Sequence, residues 1–193
     1  RCKQIVISCT IFFGLIFLAA CQQDGTQDTG AATQAEPVGA NYATDIRWTS
    51  YGIPHVKAND WGSLGYGYAY ATATDAFCVI AKELVRMDGE MSRNFGSSDE
   101  NLASDVFHKA LLQPAQVEAF RVSESEPSVA FADGYVAGYN RYLNDHQDSL
   151  AASCSGASWV RPMLNEDISK LNIGVGIRYG LGRVSKEMAA ASP

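Results

Sequence analysis

The sequence predicts a mostly helical α+β domain, in which a short N-terminal β-hairpin precedes about five helices. Three observations carry this. Asp45-Ile-Arg-Trp-Thr and Ile53 to Lys57 alternate polar and apolar residues on either side of Ser50-Tyr51-Gly52. Most segments after Asn59 carry the helical spacing of apolar residues instead. Hydrophobic residues make up 47% of the 193, enough for one domain with a core.

The hairpin comes first. Gly52 supplies a positive φ for the turn, and Pro54 confines the second strand to an edge or a late start. Asn59 or Asp60 then caps a helix. The next stretch, Gly65-Tyr-Gly-Tyr-Ala-Tyr-Ala71, alternates small and aromatic residues and taken alone reads as a strand. No turn residue separates it from the helical run Ala76 to Arg86, so one long helix over about 60–87 is expected, ended by Gly89. On that helix Gly65, Ala69 and Ala73 share a face and admit a close neighbour.

Leu102–Leu112 and Pro114–Arg121 are short amphipathic runs. Pro127 opens a helix to about Asn144, with Val129, Tyr135, Val136, Tyr139, Tyr142 and Leu143 as its stripe. Residues 148–158 are small and polar, a loop. Asn165 is expected to cap a last helix reaching about Ala190, with Glu166 and Asp167 favourably placed in its first turn. Gly174, Gly176, Gly180 and Gly182 each cost such a helix about 1 kcal/mol relative to alanine. Either it breaks near Gly180 or a neighbouring element packs tightly there.

Upstream of the hairpin, residues 1–21 read as a lipoprotein export signal. Arg1 and Lys3 precede the apolar run Ile5–Leu18, which is short for a bilayer span. Leu18-Ala19-Ala20-Cys21 looks like a lipobox, with Cys21 the lipidated residue; the alternative is an ordinary signal cut near Ala20. Gln22, where an inner-membrane retention signal has Asp, favours the outer membrane. The destination is the periplasm of a Gram-negative-type bacterium, with membrane contact through the lipid anchor alone. Residues 22–42 are rich in Gly, Thr, Gln and Ala and read as a flexible tether. The domain proper is then 43–193. The chain opens on Arg1 rather than Met, and both ends are expected to continue.

Charge and motifs exclude several functions. Acids outnumber bases 21 to 15 with no basic cluster, which argues against nucleic acid. His55, His108 and His146 lack metal-ligand spacing. Gly-x-Ser-x-Gly and phosphate-binding loops are missing from the sequence. Asp88 with Glu90, and Asp99 with Glu100, read as solvated loop acids. Export leaves Cys78 and Cys154 as an even pair in an oxidising compartment, either a disulfide or two buried thiols. Bottom-up, this is an exported helical domain without a self-contained catalytic site.

Several ordered motifs extend the reading. Asp45-Ile-Arg-Trp-Thr-Ser-Tyr-Gly-Ile-Pro-His55 is followed by Leu64-Gly-Tyr-Gly-Tyr-Ala-Tyr-Ala-Thr-Ala-Thr-Asp75, Gly89-Glu90, Ser92-Arg-Asn-Phe-Gly96 and Asn101-Leu-Ala-Ser-Asp-Val-Phe107. Gly134-Tyr-Val-Ala-Gly-Tyr-Asn-Arg-Tyr-Leu143 and Trp159-Val-Arg-Pro162 complete the series. Together they resemble the penicillin amidase superfamily of N-terminal-nucleophile hydrolases, and within it the α-subunits of acyl-homoserine-lactone acylases. The related cyclic-lipopeptide acylases are also similar. Two departures, Thr74-Asp75-Ala76 for Gln-Asp-Arg and Asp88 for Arg, bear on local surface pairs.

The resemblance implies the α-subunit portion of an αββα fold, completed by a β-chain cut from the same precursor. The nucleophile is then a serine after Pro193, with its own α-amine as base, and no catalytic residue lies in this chain. An α-amine ionises near 8, so a useful fraction is neutral. The implied reaction is hydrolysis of the amide of an N-acyl-homoserine lactone, or of a penicillin or cyclic lipopeptide. Trp159, Ile177, Tyr179, Leu181 and Val184 are the candidates for a wall of the acyl pocket, where each buried methylene contributes about 0.8 kcal/mol. Ordinary packing against the β-chain is the other reading of these residues. The resemblance also adds to the case for a Cys78–Cys154 bridge. Some superfamily members bind calcium through an α-chain glutamate, for which Glu187 is roughly in place; no other cofactor is expected. A rival of another class is a non-catalytic tethered binding lipoprotein.

Overall fold

The computed structural model describes residues 41–191. The export signal, Cys21, residues 22–40 of the tether and any serine beyond Pro193 lie outside them. Tyr42, at the end of the expected tether, stacks on Tyr66 with ring centroids 5.4 Å apart.

The hairpin is present. β1 (Thr44–Trp48) pairs antiparallel with β2 (Pro54–Ala58), Ile46 opposite Val56. Gly52 takes φ 76° in the turn, and the Thr49 hydroxyl accepts from the amides of Tyr51 and Ile53. Pro54 is the first residue of β2, where its missing N–H does the least harm. Gly67 lets the hairpin settle on the first helix, because a β-carbon there would overlap Thr44 and Val56.

The long helix is also present. α1 (Trp61–Met87) is capped by Asp60, whose carboxylate accepts from Ser63 N at 2.7 Å. Small residues dominate its buried face: Gly62, Gly65, Ala69, Ala73 and Ala81, with Phe77 and Leu84. Ala76 departs from helical geometry (φ −141°, ψ 26°), a break that the apolar pattern did not announce. Beyond Gly89 (φ 64°) come α2 (Met91–Phe95), α3 (Asp99–Leu111) and α4 (Pro114–Ser123). Asp105 of α3 caps α2, accepting from the amides of Met91 at 2.7 Å and Ser92 at 2.9 Å. α5 (Glu126–His146), capped by Ser125, lies along α1.

The last helix differs from expectation. α6 (Asn165–Tyr179) is capped at Leu164 rather than Asn165, and Asp167 accepts the Leu164 amide at 2.7 Å. It stops at Gly180, and a 3-10 turn (Leu181–Val184) leads to α7 (Ser185–Ala190). Gly174 sits against the sulfur of Met87, while Gly176 faces open space. Thus one glycine serves close packing and the helix breaks where the glycines cluster. Seven α-helices follow the hairpin among the described residues, two more than expected, because α2 and α7 are each under two turns. None of them is long and apolar enough to cross a membrane.

The core lies between α1, α5, α6 and the 147–164 loop. Tyr139 is fully buried and stacks on Phe77 at 4.9 Å, beside Leu84, Met163 and Ile168.

Candidate docking face and pocket wall

Close backbone packing between α1 and α5 shapes the main surface feature. A β-carbon on Gly134 would overlap the carbonyl of Gly62, one on Gly65 the carbonyl of Phe131, and one on Gly138 that of Tyr66. With the helices this close, the large residues beside the seam are displaced outwards. Trp61 and Tyr68 of α1 meet Phe131 and Tyr135 of α5, the Tyr68 ring 6.1 Å from each of the latter two. Leu171 and Val175 of α6 form the facing wall of a groove of about 760 Å³. Trp61 is 55% exposed, Tyr68 51% and Val175 55%. Burial pushes the Tyr135 hydroxyl up to about 12, so it stays neutral at working pH. The groove holds no nucleophile–base pair; what it offers is apolar area.

The residues proposed from sequence as a pocket wall are not brought together there, and none of the five lines the groove. Trp159 packs on Phe95 at 5.2 Å, and the Lys82 ammonium lies 4.6 Å over the same ring. Ile177 covers a small cluster of Met87, Leu112 and Val117. Tyr179, Leu181 and Val184 flank the break at Gly180 and are exposed, Tyr179 by 80%. Glu187 stands in the first turn of α7. Among the described residues no group of three or more His, Cys, Asp or Glu gathers to hold a metal.

Asp88 requires a correction: it is not a solvated loop acid. It accepts from Arg161 Nη2 at 2.6 Å and from Lys170 Nζ at 2.9 Å. Arg161 also grips Asp167, 1% exposed, through both terminal nitrogens at 2.6 and 2.9 Å. The Asp167 hydrogen bond holds the Arg161 guanidinium well above its usual range against the opposing effect of burial, and Asp88 adds to it. Burial pulls the Lys170 ammonium down, but Asp88 and Glu166 outweigh it and leave it raised. Glu90, by contrast, forms only an exposed pair with Arg93.

The loop carrying Trp159 and Arg161 is tied at both ends. Cys78 and Cys154 are bonded, their Cα atoms 5.5 Å apart. Asn140 exchanges two hydrogen bonds with the Met163 backbone, at 2.7 and 2.9 Å. His55 lies exposed on β2 beside Arg47, and His146 stacks on Tyr142 at 4.2 Å.

A model of the penicillin amidase family matches residues 43–167, from just before the hairpin into the first turn of α6. The chain belongs to the penicillin amidase family. Among its relatives, acyl-homoserine lactone acylase PvdQ of Pseudomonas putida is 39% identical over 167 residues, covering 83% of this chain and 22% of that protein. Aculeacin-A acylase of Actinoplanes utahensis is 35% identical over 164 residues, covering 79% and 21%. The fold is shared with the thermostable penicillin G acylase from Alcaligenes faecalis, at a TM-score of 0.64 and 23% identity, over 72% of this chain and 75% of that one. The chain spans about a fifth of the length of the curated penicillin amidase relatives it matches.

Neither the groove nor the Asp88 hub was found by sequence reasoning. The alternating Tyr66, Tyr68 and Tyr70 were a signal for the groove, since a helix carrying them cannot bury all three. The hub left no local signal, because Asp88 and Arg161 are 73 residues apart.

Proposed function

We propose that this chain is the non-nucleophilic α-portion of an acylase that hydrolyses the amide of N-acyl-homoserine lactones. The observation that carries the reading is the match to acyl-homoserine lactone acylase PvdQ over 83% of the chain. The exposed groove supports it, because its half-exposed Trp61, Tyr68 and Val175 suit a second chain packed over it. That second chain is the β-chain of the same precursor, beginning with the nucleophilic serine. The serine hydroxyl adds to the amide carbonyl, the α-amine takes its proton and passes it to the leaving amine, and water releases the fatty acid. Tyr179, Leu181 and Val184 are the exposed residues available to face the acyl tail, whereas Trp159 and Ile177 are committed to packing. Cys21 anchors the enzyme in the periplasm by lipid.

The test is hydrolysis by the intact protein of N-acyl-homoserine lactones of graded length. Release of homoserine lactone, with a second chain whose first residue is serine, is expected. Turnover of phenylacetyl amides alone would sink the lactone assignment. The similarity to aculeacin-A acylase favours a second reading, deacylation of a cyclic lipopeptide. Faster turnover of such a lipopeptide than of any lactone would establish it. No amide hydrolysis on any of these substrates would leave the tethered binding lipoprotein.

A further inference from the structure

Among the described residues β1 and β2 are the only strands of their sheet. α1 covers one face of it, where Gly67 meets Thr44 and Val56. The other face is polar and exposed, with Asp45 opposite Lys57 and Arg47 opposite His55. The two edges differ, and the register of the hairpin says how. The Thr49 amide donates to the Ile53 carbonyl at 3.0 Å. In an antiparallel ladder, bonded pairs alternate with unbonded ones. Counted back from Thr49 and Ile53, the bonded pairs are Arg47 with His55 and Asp45 with Lys57.

Thr44, Ile46 and Trp48 therefore turn their N–H and C=O groups away from β2, along the outer edge of β1. Pro54, Val56 and Ala58 form the outer edge of β2 in the same way. Pro54 has no N–H to offer, so the β2 edge is interrupted against a further strand. β1 contains no proline, and its edge is an unbroken row of donors and acceptors. The side chains point the same way. Ile46 and Trp48 share the face that rests on α1, yet Trp48 is 42% exposed. Tyr51 and Ile53, in and after the turn beside it, are exposed as well. A strand laid along β1 covers Trp48 and satisfies the backbone edge at once.

We infer that the outer edge of β1 is a strand-addition site, taken by an extended segment of the second chain. The inference rests on the acylase reading for the existence of that chain. The residues described here belong to a chain spanning about a fifth of its curated relatives, so the remainder of such a protein is far larger than the part that carries the hairpin. Main-chain hydrogen bonds supply the affinity of such a pairing, and alternate side chains supply its specificity. The added segment matches the five residues of β1. It carries apolar residues level with Ile46 and Trp48, extending the face above α1, and polar residues beside Asp45 and Arg47.

Hydrogen exchange of the intact protein, resolved to single amides, tests it. The Ile46 and Trp48 amides are expected to exchange about a hundredfold or more slower than an open edge allows. Trp48→Pro deletes an outward donor and spares every bond between β1 and β2. Its Ile46 amide should exchange faster and its yield of co-purified second chain should fall several-fold, with helix content unchanged by circular dichroism. Fast exchange at Ile46 and Trp48 in wild-type protein that holds its second chain and turns over substrate overturns the inference and leaves the acylase reading standing. Absence of any second chain overturns both. Unchanged exchange and yield in Trp48→Pro overturns the inference too, as does a crystal structure of the intact protein with residues 1–40 or a second copy of this chain along β1.

Discussion

Gly134 of α5 rests against the carbonyl of Gly62 on α1 so closely that a β-carbon would overlap it. Gly134→Ala must therefore push two helix backbones apart. The expected loss is about 2–4 kcal/mol, read from chemical denaturation of the intact protein. Gly176→Ala is the control, since it meets nothing and removes a helix-breaking residue. It should be neutral or stabilising by up to about 1 kcal/mol.

Asp88 joins Arg161 and Lys170 in a partly buried site. Asp88→Ala removes one carboxylate from between the two cations, leaving Arg161 on Asp167 and Lys170 on Glu166. A loss of about 1–3 kcal/mol is expected, discounted because all three retain some solvent. Asp45→Ala, which breaks the exposed pair with Arg47, should cost under about 1 kcal/mol in the same assay.

The Cys78–Cys154 bridge closes a loop of 76 residues. Replacing both cysteines by serine should cost about 2–5 kcal/mol by denaturation. Hydrogen exchange should rise most in the 147–158 stretch, with the Met163 end still held by Asn140. Uniform exchange changes would contradict this division.

Burial holds the His108 imidazole below its usual ionisation range. The unfolded chain then binds the proton first, so His108 stabilises the fold fully above about pH 6.5 and less as pH falls below it. The fall in melting temperature below about pH 6.5 should be shallower in His108→Gln. An identical profile in wild type and variant would count against a buried, neutral histidine.

The groove predicts a separation of folding from assembly. Tyr68→Asp and Val175→Asp alter exposed positions and should leave helix content unchanged by circular dichroism. Both should lower the yield of co-purified second chain and of acylase activity. Full recovery of both chains would remove the groove from the interface.

Local chemistry explains which parts of this fold were legible beforehand. The hairpin was readable because Gly52 and the alternation around it are contiguous signals. α1 was readable to within a residue because Asp60 and Gly89 punctuate it. The end of α6 was half readable: the glycines announced a break or a close contact, and Gly180 and Gly174 supply one each. The capping of α6 was misplaced by one residue, because Asp167 reaches back to the amide before Asn165. The Asp88 hub depends on residues far apart in sequence, and no local pattern encodes such meetings. Of the residues expected in a pocket wall, Tyr179, Leu181 and Val184 lie on either side of the break at Gly180, while Trp159 lies in the loop before α6.

The α1–α5 seam has no side chains at its tightest points, so it offers nothing to vary. Beside it, Trp61 and Tyr68 are half exposed and are the side chains open to exchange, whereas Tyr135 also packs on the core. Geometry and lining are thus separate inheritances in this domain. A designer wishing to re-surface the groove for a different companion can repaint its banks freely, provided the glycine bed beneath is left alone.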